Sequence, residues 1–66
     1  MRDHVKFEVA IEIIAMMIAF AEEDGDEEKV NRLVDEKDKL YLGDKSIIDK
    51  AYNEYSAEIK KRLENN

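Results

Sequence analysis

With 66 residues, the chain is long enough for one domain, residues 1–66, and too short to build a large hydrophobic core. The absence of Cys excludes disulfides and thiolate metal sites, and a single His argues against a conventional zinc site. The net charge of −6 argues against direct binding of nucleic acid, since affinity for phosphate depends on a basic surface. Tight helix packing or oligomerisation must therefore stabilise the domain.

The first predicted helix, residues 3–24, contains the most apolar stretch of the chain. Twelve of the thirteen residues from 9 to 21 are apolar, and Glu12 is the only charged one. We expect Asp3 to be the N-cap and Gly25 to take the left-handed position that ends the helix. The apolar stretch would rise about 20 Å as a helix, short of the roughly 30 Å hydrocarbon core of a bilayer. We therefore expect no transmembrane span and a cytoplasmic protein.

Apolar side chains of this helix fall on two nearly opposite lines at 100° per residue. The first line, with a spacing of 4-3-4-3, consists of Phe7, Ile11, Ile14, Ile18 and Ala21. The second line, with a spacing of 4-3-4, consists of Val9, Ile13, Met16 and Phe20. Ala10 and Met17 lie on one flank between the lines, and the other flank carries His4, Glu8, Glu12, Ala15 and Ala19. Apolar residues on two opposed faces indicate a buried helix.

The second predicted helix covers residues 27–42 and has an ordinary amphipathic pattern. Asp26 is its expected N-cap, and Glu27 and Glu28 occupy the first turn, where the helix dipole favours negative charge. Gly43 is expected to end the helix.

The third predicted helix covers residues 46–64. Ser46 and Asp49 form a capping-box pattern directly before an apolar repeat. The inward stripe, with a spacing of 4-3-4-3, consists of Ile48, Tyr52, Tyr55, Ile59 and Arg62. Both connections are short, which favours antiparallel packing of neighbouring helices.

The first line of helix one is the predicted surface for self-association. Two short helices can cover only part of helix one, and four large residues of this line would then face water: Phe7, Ile11, Ile14 and Ile18. Leaving them there would forgo about 6–12 kcal/mol of burial, which matches the whole stability expected of such a small domain. The sequence therefore predicts an all-α, three-helix protomer that forms a homodimeric helical bundle. Two alternatives stay open: the other helices straddle helix one and cover both lines, or a different partner binds there.

An acidic turn connects helix one to helix two. Its six carboxylates belong to Glu22, Glu23, Asp24, Asp26, Glu27 and Glu28. They account for the whole net charge, because the remaining eleven acidic residues balance the eleven Lys and Arg residues. Gly25 falls too early for an EF-hand calcium loop. The turn is interpreted as solvated, with contact to a basic protein surface as the alternative.

Other polar clusters give no specific indication of chemistry. His4, Glu8 and Glu12 line one helix face, but the Glu-x-x-His pattern of helical di-metal sites does not occur. A set of carboxylates on helices two and three alternates with Lys, which is typical of an exposed face: Asp35, Glu36, Asp38, Glu54 and Glu58. No nucleophile triad or Gly-rich phosphate loop is present. The sequence therefore predicts a protein that is not an enzyme and binds neither metal nor cofactor.

Three tyrosines are candidate aromatic anchors for a partner: Tyr41, Tyr52 and Tyr55. Since Tyr52 and Tyr55 lie on the inward stripe of helix three, a place in the core is the simpler interpretation.

Two functions fit these features. The first is a small non-enzymatic interaction module, an adaptor or regulator, that self-associates through helix one. The second is an acidic inhibitor from a phage or mobile element, of the anti-CRISPR or anti-restriction kind, whose acidic turn occludes a nucleic-acid-binding protein.

Overall fold

The computed structural model describes residues 3–65, and side chains from residue 5 to residue 65. This part of the chain is all-helical, as predicted. Helix α1 spans Asp3–Glu23 and α2 spans Glu27–Tyr41. A third helical segment, residues 45–64, consists of α3 (Lys45–Lys50), a π-helical turn (Ala51–Tyr55) and α4 (Ser56–Glu64). The predicted N-cap at Asp3 and the predicted strip beginning at His4 involve side chains outside the described part.

Three of the predicted helix boundaries are confirmed by their local geometry. Asp26 caps α2, since its Oδ1 accepts a hydrogen bond of 3.1 Å from the backbone N–H of Lys29. Gly25 and Gly43 follow α1 and α2 with φ values of +74° and +100°, a conformation that strains any residue with a Cβ. Both helices therefore end at the glycines predicted from the sequence.

The predicted N-cap of the third helix is wrong by two residues, and the helix starts at Lys45, one residue before the predicted range. Asp44, rather than Ser46, is the N-cap of α3. Its Oδ1 accepts a hydrogen bond of 3.0 Å from the backbone N–H of Ser46 and another from the hydroxyl of that residue. The proposed capping box with Asp49 does not form, because Ser46 lies inside α3 and its backbone N–H, which Asp49 would have to bind, already donates to Asp44.

Helix α1 lies between α2 and the third helical segment. Its four buried residues, each at most 3 % exposed, are Ala10, Ile14, Met17 and Ala21. They pack with buried residues of the other elements: Leu33, Leu40, Ile47, Ala51, Tyr55 and Ile59. The core is therefore centred on the flank of α1 that lies between the two predicted apolar lines.

Each predicted line of α1 is contacted by a different helix. The Phe7 ring on the first line meets the Tyr41 ring of α2 edge-to-face, with centroids 5.7 Å apart. The Phe20 ring on the second line lies 4.5 Å from the guanidinium carbon of Arg62 on α4. The expectation that the first line stays uncovered in the protomer is therefore wrong. Two short helices suffice because they straddle α1.

The straddling arrangement leaves α2 and the end of the third segment apart. Within the described residues, no Cα atom of the π-helical turn or α4 lies within 8 Å of a Cα atom of α2. The accessible surface is 4780 Å², compared with about 4300 Å² expected from size scaling for a folded 7.7 kDa monomer. The fold is thus more open than a closed three-helix bundle, because α3 lies close to α2 whereas the π-helical turn reaches α2 only through long side chains.

No helix in the described part of the chain combines the length and apolar character needed to cross a membrane.

Candidate interaction surfaces

The residues predicted for self-association lie against the protomer's own core. Ile14 is 0 % exposed, and Phe7, Ile11 and Ile18 are partly buried and pack against the core residues. Since Ile14 cannot contact a second copy without leaving the core, these four residues do not form one accessible seam. Self-association itself stays a prediction, and other side chains must carry it.

An apolar groove between α1 and α4 presents the most accessible hydrophobic side chains of these two helices. The groove has a volume of about 200 Å³, and its lining residues are Val9, Glu12, Ile13, Met16, Ser56 and Ile59. Met16 is 44 % exposed, and Val5 on the same face of α1 is 36 % exposed. Leu63, two turns beyond Ser56 on α4, is 60 % exposed. We call this groove, together with Val5 and Leu63, the α1–α4 surface.

Arg62 neutralises part of the predicted acidic patch. Its guanidinium donates two hydrogen bonds to the carboxylate of Asp24, at 2.8 and 2.9 Å, and lies 3.8 Å from a carboxylate oxygen of Glu23. The hydrogen bond from Arg62 holds the pKa of Asp24 below its usual range, and the same bond raises the pKa of Arg62. The position of Arg62 on the inward stripe was visible in the sequence, but not its partner.

The remaining members of the acidic patch divide into a cap and a solvated group. Asp26 caps α2. Glu22, Glu27 and Glu28 are exposed and form no ion pair within residues 5–65. Glu22, Asp26 and Glu27 line one notch beside Gly25. The structure therefore brings together three carboxylates, rather than six, on a surface that a basic partner could contact.

A partly buried polar triad connects α2 to the third helical segment, and sequence reasoning missed it. Glu36 is only 7 % exposed, so its assignment to a solvated charged face is wrong. Its Oε2 accepts a hydrogen bond of 2.7 Å from Lys50 Nζ, and its Oε1 accepts one from the Tyr55 hydroxyl. Lys50 Nζ also lies 5.6 Å from the centre of the Tyr55 ring. The signal was present in the spacing, because Glu36 lies three residues after Leu33 and four before Leu40.

The triad shifts the titration of its cationic and phenolic members. The hydrogen bond to Glu36 raises the pKa of Lys50 above its ordinary value. Burial, followed by the hydrogen bond to Glu36, raises the pKa of Tyr55. Both groups therefore keep their protons at neutral pH, and three polar side chains satisfy one another in the gap between the helices.

The three candidate tyrosine anchors have different environments. Tyr55 is 4 % exposed and belongs to the core and the triad. Tyr52 is partly buried. Tyr41 is 59 % exposed and lies beside Leu42, which is 87 % exposed. Only Tyr41 is exposed enough to contact a partner broadly, at the end of α2.

A second groove, of about 320 Å³, lies between the ends of α1, α2 and α4. Apolar side chains of Met17, Phe20 and Ala21 line it together with charged residues. Arg62 at its edge is held by Asp24, and Lys29 lies 4.0 Å from Glu58. Lys61 is the third cation of the lining. Because carboxylates already engage the other two, the groove offers a net charge of only about +1 to a ligand.

Neither metal chemistry nor a known family assigns a function. Among the side chains of residues 5–65, no three His, Cys, Asp or Glu come together in a way that could hold a metal ion. Comparisons with family models, with curated proteins and with solved structures found no match. The surfaces of this chain are therefore the basis for a proposed function.

Proposed function

We propose that the protein is a small, non-enzymatic interaction module of the cytoplasm that self-associates through helix α1, using the α1–α4 surface. The observation that carries this proposal is the apolar groove, with an exposed hydrophobic side chain on its α1 rim and another further along α4. Met16 stands on the α1 rim at 44 % exposure, and Leu63 lies on the α4 side at 60 %. Grouped hydrophobic residues of this kind are typical of surfaces that contact another protein.

Charge complementarity favours a second copy as the occupant. The α1 rim carries the exposed carboxylate of Glu12, and the exposed Lys60 lies on α4. A two-fold arrangement that sets α1 of one copy opposite α4 of the other pairs these opposite charges twice. Packing α1 against α1 would instead bring like charges together. In the proposed dimer, α1 of each copy therefore packs against α4 of the other copy.

The expected association is reversible, because each protomer already buries its own core. A standard interface covers about 800 Å² per partner, which is roughly one sixth of the 4780 Å² surface of this chain. Burial of the still exposed parts of Val5, Met16 and Leu63, together with the rest of the groove, supplies the favourable contribution. Association costs about 4–15 kcal/mol in lost freedom, so the net affinity is expected to be modest.

Sedimentation equilibrium between about 10 µM and 1 mM, a range that covers modest affinities, tests the proposal. The apparent mass of the wild type should rise from 7.7 kDa towards twice that value. Met16→Glu should stay monomeric, because the partner would bury its charge. Val34→Glu is the matched control, since Val34 is 42 % exposed but lies on α2, and it should dimerise normally.

Two results would contradict the proposed dimer. One is a wild-type mass of 7.7 kDa throughout the concentration range. The other is loss of association in Val34→Glu with retention in Met16→Glu, which would place the interface on α2.

A second candidate function, the acidic inhibitor of a nucleic-acid-binding protein, is supported by the notch of Glu22, Asp26 and Glu27. A Lys/Arg-rich peptide is a suitable probe, and its binding should weaken steeply as salt rises. The double substitution Glu22→Lys, Glu27→Lys should abolish binding. Glu8→Lys, Glu54→Lys changes the net charge equally at other exposed positions and should bind normally. If both double variants lost peptide binding equally, the effect would come from net charge alone, and the notch would be rejected as the binding site.

A further inference from the structure

The buried residues of the third helical segment repeat every four positions. They are Ile47, Ala51, Tyr55 and Ile59, each at most 9 % exposed. In an uninterrupted α-helix, three steps of four residues rotate a stripe by about 120°, which would carry Ile59 away from the core. The π-helical turn at Ala51–Tyr55 absorbs this rotation, since it adds one residue to a turn. The turn therefore keeps both ends of the segment on α1.

The same sequence also encodes a second, purely α-helical stripe. With a spacing of 4-3-4-3, it consists of Ile48, Tyr52, Tyr55, Ile59 and Arg62. This stripe shares Tyr55 and Ile59 with the observed one. It would rotate α3, so that Ile48 and Tyr52 replace Ile47 and Ala51 in the core. The segment therefore has two registers, which we call the π register, observed here, and the α register.

Two pairs of hydrogen bonds belong to the π register. Lys50 and Tyr55 are five residues apart and would point about 140° apart on an α-helix, yet both bind Glu36. The Ser56 N–H donates to the carbonyl of Ala51, five residues earlier, while the Ser56 hydroxyl donates to the Tyr52 carbonyl. That carbonyl is the acceptor the Ser56 amide would use in an α-helix.

From this geometry we propose that the third segment is a two-register element and that Glu36 selects the π register. Glu36 does so by binding Lys50 and Tyr55 at once, which the α register prevents. Ser56 also favours the π register, through its two hydrogen bonds to backbone carbonyls of the same segment. Loss of Glu36 rotates α3 relative to α4, exposes Ile47 and buries Ile48. The device is independent of self-association, because every contact that carries it lies within one protomer.

Thiol labelling distinguishes the two registers cleanly, because the chain contains no Cys. Ile47→Cys and Ile48→Cys are introduced one at a time. In the wild-type background, the thiol at position 48 should react about tenfold faster, since Ile47 is 7 % exposed and Ile48 is only partly buried. Glu36→Leu should reverse this order. Asp38→Leu, which removes an exposed carboxylate from the same helix, should leave the order unchanged.

Deletion of Asn53 supplies a second test that leaves Glu36 intact. It converts the 4-4-4 spacing into 4-3-4 and places Lys50 and Tyr55 four residues apart, so a plain α-helix satisfies both the core and the triad. The deletion should keep position 48 the faster one, even when combined with Glu36→Leu. A reversed order after the deletion alone overturns the proposal.

Two further results, from Glu36→Leu and Ser56→Ala, test whether Glu36 and Ser56 select the π register. Retention of the wild-type order in folded Glu36→Leu overturns the selection by Glu36. Should circular dichroism find Glu36→Leu unfolded, Ser56→Ala decides instead, because it removes only the hydroxyl contact to the Tyr52 carbonyl. We expect Ser56→Ala to narrow the difference between the two rates, and an unchanged ratio would overturn the proposal.

Discussion

Helix α2 and the third helical segment both cover α1, but they do so by different means. Helix α2 is regular and packs through Leu33 and Leu40, which are 0 % and 1 % exposed. The third segment needs a π-helical turn to keep its apolar side on α1, and it reaches α2 through the triad around Glu36. Apolar packing dominates the first attachment, whereas the second combines packing with directional polar contacts. The first should therefore govern global stability and the second the register.

The largest expected effect follows from breaking the apolar attachment. Leu33→Ala removes a fully buried side chain and should lower the free energy of unfolding by about 2–5 kcal/mol, which is most of the stability of so small a domain. Urea denaturation followed by circular dichroism measures the change. Val34→Ala, on the exposed side of the same helix, is the control. Equal losses in the two variants would contradict the assignment of Leu33 to the core.

A smaller effect is expected from the polar attachment. Lys50→Met removes the ammonium partner of Glu36 while keeping much of the side-chain bulk, and should cost about 1–3 kcal/mol because a buried carboxylate loses a hydrogen bond. The same urea titration measures the loss. Lys39→Met, which breaks only the exposed pair with Asp35, should change stability much less. If Lys50→Met left the free energy of unfolding unchanged, the triad would not stabilise the fold.

The triad also predicts a response to alkaline pH. Since the folded-state pKa of Lys50 is raised, its contribution is complete below the unfolded-state value of 10.5 and is lost as pH rises through the folded-state value. Tyr55 acts in the same sense, because its raised pKa means that folding favours its protonated form. The midpoint temperature of thermal unfolding should therefore fall more steeply between neutral and strongly alkaline pH in the wild type than in Lys50→Met.

The smallest effect is expected at the end of the third segment, where Arg62 holds Asp24. Because the pKa of Asp24 is lowered, its contribution is present above the unfolded-state value of 3.8 and is lost as pH falls through the folded-state value. Asp24→Asn should therefore lose less stability than the wild type when thermal unfolding is followed from neutral to strongly acidic pH. Identical acid profiles would indicate that the exposed ion pair contributes nothing measurable.

Sequence patterns were sufficient for the regular parts of the fold. Gly25, Asp26 and Gly43 mark the ends of helices, and each acts through local backbone geometry that a sequence exposes directly. The apolar pattern of α1 correctly predicted a helix that packs against the rest of the chain, although its buried residues lie on one side only. Its interpretation was wrong, because two helices that straddle the Ala10 and Met17 flank can each cover one line. Angular position on one helix does not reveal where its neighbours lie.

The triad and the π-helical turn depend on contacts distant in sequence. Glu36 resembles the charged residues around it until Lys50 and Tyr55 are placed opposite it, fourteen and nineteen residues later. The 4-4-4 spacing of buried residues was readable, but the competing 4-3-4-3 stripe through Ile48 and Tyr52 fits an ordinary helix better. Local periodicity therefore favours the α register, whereas tertiary contacts favour the π register.

The π-helical turn also has a consequence for how this chain compares with others. It accommodates one residue more than a regular helix needs between Lys50 and Ser56. A chain lacking one residue there can present the same side chains to α1 and to the α1–α4 groove, with every position after the deletion displaced by one. Alignment of such a chain requires a gap inside a helix, where gaps are ordinarily disfavoured. Any search for relatives of this protein should permit a single-residue gap at residues 51–55.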